Sequence, residues 1–144
     1  MNIIEQKFYD SKAFFNTQQT KDISFRKEQL KKLSKAIKSY ESDILEALYT
    51  DLGKNKVEAY ATEIGITLKS IKNARKELKN WTKTKNVDTP LYLFPTKSYI
   101  KKEPYGTVLI IAPFNYPFQL VFEPLIGAIA AGNTCLLYTS PSPR

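Results

Sequence analysis

The passage from Thr107 to Asn133 constrains this chain most, because its apolar pattern changes period within a few residues. Thr107-Val108-Leu109-Ile110-Ile111 is a short, mostly β-branched and apolar run, the pattern of a buried parallel strand. Ala112-Pro113-Phe114-Asn115-Tyr116-Pro117 then breaks it. Pro117 has no amide hydrogen to donate and suits the first turn of a helix. From Phe118 to Ala131 the apolar residues continue at helical spacing, and Gly132-Asn133 reads as the stop. Pro124 counts against an unbroken helix and predicts a kink. Strand, turn and helix make the first half of a βαβ unit. In such units ligands sit beyond the carboxyl ends of the strands, where helix N-termini point their amides. Asn115 falls at that edge, where spacing alone fits it to a helix cap.

Upstream the pattern is helical. Ile4, Phe8, Phe14 and Phe15 predict a short first helix, and the polar residues from Asn16 a connection. Asp22 or Ser24 caps the next helix. Its Leu30, Leu33, Ile37, Tyr40, Ile44 and Leu48 recur at helical intervals and form one stripe, ended by Asp51-Leu52-Gly53. A further helix carries Ala61, Ile64, Leu68, Ile71, Leu78 and Trp81. Two such helices on a short connection are expected to pack as an antiparallel pair. Lys83 to Pro95 reads as loop, broken at Asp88-Thr89-Pro90 and Phe94-Pro95, and Tyr99 to Glu103 as a short strand.

Composition narrows the chemistry. The chain has no histidine, so it offers no imidazole base, and no metal site is expected. Its single cysteine, Cys135, cannot make an internal disulfide, which fits a reducing, cytoplasmic location. No apolar run approaches the ~20 residues of a membrane helix. Met1 to Asp10 holds acidic residues and no apolar signal core. The net charge of +8 raises a nucleic-acid or acidic partner, as a small basic helical binding module would need. Lys31, Lys32, Lys35 and Lys38 do share one side of a helix, but the basic residues are interspersed with acids and no nucleic-acid-reading motif accompanies them. They read as a solvated face, with no nucleic-acid partner expected.

The wording of several segments resembles one family. Glu103-Pro104-Tyr105-Gly106, Pro113-Phe114-Asn115-Tyr116-Pro117-Phe118 and Gly127-Ala128-Ile129-Ala130-Ala131-Gly132-Asn133-Thr134 are similar to the aldehyde dehydrogenase superfamily, most of all its class 3 branch, which oxidises fatty and aromatic aldehydes. Phe25 to Leu30, Leu45 to Lys54 and Glu58 to Gly65 are similar to the same branch, so the resemblance runs from about Ser24 to Thr134. It implies an α/β fold: a helical segment plus the first βα unit of a doubly wound, Rossmann-like cofactor domain. It implies NAD or NADP as cofactor, an aldehyde substrate and a homodimer. In the family a cysteine thiolate attacks the aldehyde, hydride passes to the cofactor, and a glutamate-activated water hydrolyses the thioester. Asn115 matches the asparagine whose amide holds the oxyanion, and an amide can donate there without titrating near neutral pH. Ala112, Pro113 and Phe114 match residues lining the cofactor cleft. Cys135 lies too early to match the nucleophile, and Glu123 reads as a helix-surface charge.

The resemblance divides the chain into residues 1–82, helical; 83–105, loop and start of an oligomerisation arm; 106–134, the first strand–helix unit; and 135–144. In that last stretch the family continues with an apolar strand ending Lys-Pro-Ser-Glu, and Tyr138 stands where a ribose-binding lysine is expected. Cys135-Leu136-Leu137-Tyr138-Thr139-Ser140-Pro141-Ser142-Pro143-Arg144 instead resembles one translated frame of a transposase sequencing adapter. It is therefore expected to be a non-native tail on a truncated gene. The chain by itself, without nucleophile or base, is expected to be inactive and poorly stable. The competing expectation to an enzyme fragment is the basic binding module, or a non-catalytic interaction subunit derived from the same fold.

Overall fold

The computed structural model describes residues 2–139. In chain order it has α1 (Ile3–Asn16), α2 (Ile23–Ser39), α3 (Glu41–Leu52), α4 (Lys56–Ala59), a π-turn at Tyr60–Ile64 and α5 (Gly65–Trp81). There follow β1 (Lys85–Val87), β2 (Ser98–Ile100), β3 (Thr107–Ala112), α6 (Gln119–Ala131) and β4 (Thr134–Thr139). Asp22 caps α2: its carboxylate accepts from the backbone N–H of Ser24 and Phe25. That satisfies two amides a first helical turn leaves free.

The apolar stripes bury largely as expected, except that Trp81, at the last position of its helix, is 42% exposed, and with two differences in how the helices carry them. The stripe from Leu30 to Leu48 lies on two helices, not one. Tyr40, at φ −101° and ψ 14°, ends α2 and starts α3. It turns out of the stripe, 62% exposed, where its hydroxyl can be hydrated, while Leu30, Ile37 and Leu48 stay buried. The next helix contains a π-turn, whose wider ring shifts the buried face by one residue. Ala59 is therefore buried and Ala61 exposed.

The core forms where α2, α5 and α6 meet, from Leu30, Ile37, Ile64, Ile71, Ala74 and Ile126. Arg26 latches the end of α6 to the helical part. Its guanidinium donates to the carbonyls of Thr20, Lys21 and Ala130. Gly132 then turns the chain at φ +90°. Pro124 lies within α6, which runs through it to Ala131, although the Leu120 carbonyl loses its helical donor there.

Between helices and sheet, the stretch read as loop contains structure. β1 pairs antiparallel with β2, Lys85 opposite Ile100 and Val87 opposite Ser98, around a short 3₁₀ turn at Leu91–Leu93. The strand expected at Tyr99 to Glu103 thus begins at Ser98 and stops at Ile100.

The expected half βαβ unit is a whole one. β3 pairs parallel with β4, from Thr107 opposite Thr134 to Ala112 opposite Thr139, with α6 as the crossover. Five residues of the expected tail, Cys135 to Thr139, lie in β4; the other five, 140–144, lie outside the described residues. Parallel pairing needs backbone groups and apolar side chains, which Cys135, Leu136 and Leu137 supply whatever their origin. Ile110 and Ala112 face the interior, while Leu109 and Ile111, on the opposite face of β3, are 60% and 66% exposed.

Candidate active site

The parallel register sets the carboxyl ends of β3 and β4 side by side, Ile111 beside Tyr138 and Ala112 beside Thr139. The chain leaves β3 through Pro113, Phe114, Asn115 and Tyr116 and enters α6. Ala112 is buried at 1% exposure, and the four residues after it are exposed. The Asn115 side-chain amide forms no hydrogen bond among the described residues. It does not cap α6, the role its spacing alone would suggest.

That role falls to Glu63, fully buried in the π-turn. One carboxylate oxygen, Oε2, accepts from the backbone N–H of Phe118 at 2.9 Å and of Gln119 at 3.2 Å. The other, Oε1, pairs with the Lys54 ammonium. A carboxylate at a helix N-terminus meets both unpaired amides and the positive end of the helix dipole. Lys54, 8% exposed, also donates to the Asn115 carbonyl at 3.2 Å and lies 3.7 Å over the Tyr116 ring. Gly53, at φ +67°, ends α3 and turns the chain so that Lys54 points inward. Thr67 donates to the Glu63 carbonyl at 2.7 Å and so satisfies the carbonyl of the buried π-turn residue.

Two consequences concern ligands. The first amides of α6 are taken by Glu63, so this helix end does not offer them to a phosphate, contrary to the general expectation for such units. Ala112, Pro113 and Phe114 supply backbone groups and an exposed ring without charge, which suits a neutral part of a cofactor better than its phosphates. Cys135, half-buried beside Val108, has its thiol pushed up to about 11 by burial, the opposite of an activated thiolate. Glu123 is not a plain surface charge: it is half-buried in a groove between α5 and α6 with Lys69, Ser70 and Asn73. Among the described residues no acidic, histidine or cysteine cluster is placed to hold a metal, and no helix is long and apolar enough to cross a membrane.

Lys54 and Glu63 fall in the segments Leu45 to Lys54 and Glu58 to Gly65, whose resemblance gives neither residue a role. One signal was available. Glu63 precedes Thr67, Ile71 and Leu78 on the buried face of α5, so a carboxylate stands in a core stripe.

This βαβ unit with its satisfied helix end makes the chain a mixed α/β protein, and it belongs to the aldehyde dehydrogenase family, whose model matches residues 4–143. It is 96% identical over 140 residues to the 4,4'-diaponeurosporen-aldehyde dehydrogenase of Staphylococcus aureus, covering 97% of this chain and 30% of that protein. It is 38% identical to aldehyde dehydrogenase family 3 member F1 of Arabidopsis thaliana, covering 95% of this chain and 28% of the relative. Among solved structures, the substrate-bound state of Staphylococcus aureus AldH superposes with a TM-score of 0.93 at 97% identity, covering 95% of this chain and 30% of that one. Succinic semialdehyde dehydrogenase from Streptococcus pyogenes with NADP+ superposes at 0.83 and 17% identity, covering 95% and 29%, a likeness of fold. The chain thus spans about 30% of the length of the relatives it matches.

Proposed function

We propose that this chain forms the N-terminal part of an NAD(P)-dependent aldehyde dehydrogenase that oxidises aldehydes to carboxylic acids through a cysteine thioester. Family membership supports it, and so does one observation: Asn115 presents an exposed amide with no hydrogen-bond partner among the described residues, at the carboxyl edge of a parallel strand pair. When a thiolate adds to the aldehyde carbon, the carbonyl π-electrons move onto oxygen. The Asn115 N–H donates to that oxygen and stabilises the charge as it develops. NAD or NADP, when bound, supplies the hydride acceptor. Backbone groups of Ala112, Pro113 and Phe114 line its neutral end in this reading, and β3 and β4 are two strands of a larger doubly wound sheet. The β1–β2 ribbon belongs to the arm through which the whole protein dimerises. The nucleophile and the base glutamate lie outside these residues, so the chain alone is inactive. Residues 135–144 remain our candidate for a non-native tail, which adapter-free sequencing across the codons for Asn133 and Thr134 decides.

The test uses a chimera in which residues 4–134 of this chain replace the aligned stretch of the Staphylococcus aureus relative. 4,4'-Diaponeurosporen-aldehyde, the aldehyde in that relative's name, and octanal are the substrates. Asn115→Ala is expected to lower kcat by about 100- to 1000-fold with little change in KM. An unchanged kcat would sink the oxyanion reading.

A further inference from the structure

Asn115 has no side-chain hydrogen-bond partner among the described residues, so what fixes where its amide can reach is the position of its backbone, from which the side chain rotates among its rotamers. That backbone is held from both sides by two residues more than fifty positions away in sequence. Lys54 grips the Asn115 carbonyl and covers the Tyr116 ring. Glu63 grips the two amides that begin α6. The two grips are joined by their own ion pair, with both members buried. Each charge also depends on the other. Lys54 alone would stand buried beside the positive end of α6, and Glu63 alone would lose the cation that balances it. The π-turn is what brings Glu63 to this point, and such turns recur at functional sites. A hydrophobic contact could have closed the same gap between α5 and the turn. A paired charge instead fixes direction, because its hydrogen bonds tolerate little displacement.

We propose that Lys54 and Glu63 are positioning residues for oxyanion stabilisation: they hold the Asn115 amide at the point where the oxyanion forms. This rests on the reading of Asn115 given above. Misplacement of a reacting group by about 1 Å can cost about 100-fold in rate, so the pair is expected to act on kcat. Because oxyanion charge appears only in the transition state, KM should barely move.

The experiment is a double-mutant cycle in the same chimera, with octanal as substrate. Lys54→Met and Glu63→Gln are made together, since removing one member strands the other in the interior. In the Asn115 background the paired replacement is expected to lower kcat by about 10- to 100-fold and leave KM within about threefold. In the Asn115→Ala background it is expected to change kcat by less than about threefold, because the group it positions is gone. Equal losses in the two backgrounds, or none in either, overturn the proposal. If the paired variant does not fold, as read by circular dichroism, Tyr116→Leu replaces it. That change removes only the ring under the Lys54 ammonium. A loss of about tenfold that vanishes beside Asn115→Ala supports the positioning role, and an additive loss or none refutes it. Should Asn115→Ala itself leave kcat intact, the fault lies with the oxyanion reading and not with the pair.

Discussion

Two glycines show how little of a residue's importance is visible in its type. Gly53 and Gly132 both end helices at positive φ, +67° and +90°. A Cβ at Gly53 would meet nothing within 4 Å. At Gly132 it would stand 2.7 Å from Arg26 Nη2 and 2.8 Å from the Thr20 carbonyl. Gly53→Ala should therefore cost only the left-handed conformation, about 1–2 kcal/mol. Gly132→Ala adds overpacking of about 1–3 kcal/mol and disturbs the Arg26 latch on α6. Urea unfolding of the chimera checks the ranking, and equal costs would show that the latch yields freely. Asp22 is fully exposed, yet its pKa is lowered, first by the Ser24 hydroxyl and then by the Phe25 amide. A depressed carboxylate contributes stability above its unfolded value, near 3.8 here, and loses it as pH falls through the folded value. Asp22→Asn keeps a capping group without a titration. Between about pH 5 and pH 2 its thermal midpoint should fall less than that of the parent; parallel curves would remove the cap from the acid response.

At the scale of elements, the parts legible in the sequence were those with a strong period. The α2 and α5 stripes and the β3 run follow from spacing, and the ends of α3 and α6 follow from the glycines that terminate them, Gly53 and Gly132. The break at Tyr40 was not legible, because tyrosine fits either side of a stripe and only the exposure of its hydroxyl decides. The π-turn was hidden for a related reason: one added residue barely alters a pattern whose intervals already alternate between three and four. β1 and β2 are short and exposed, so they carry no alternation to read. The site followed the same divide. Asn115 could be picked out by resemblance; Glu63 left one trace, a carboxylate in a buried stripe, and its pairing with Lys54 is visible only once the turn packs against α6.

The whole molecule is an unevenly finished object. Leu109, Ile111, Leu137 and Tyr138 are between 49% and 66% exposed on a two-stranded sheet whose outer edges have no partner among the described residues. Open apolar faces and free strand edges recruit other chains. The isolated 144-residue chain is expected to self-associate at micromolar concentration and to bind a dye specific for apolar surface. A monomeric, dye-silent species in analytical ultracentrifugation would contradict this. The segment that divides the chain in sequence does not divide it in space. Between Lys83 and Glu103 only Thr89, Ser98 and no fully buried residue stand back from solvent, whereas α2 and α5 share a core with α6 on the far side. The backbone there serves as a tether. Trypsin cutting after Lys97 should leave two pieces that co-migrate on a native gel and part only in denaturant. In that respect the molecule is a complementing pair that happens to be encoded as one polypeptide.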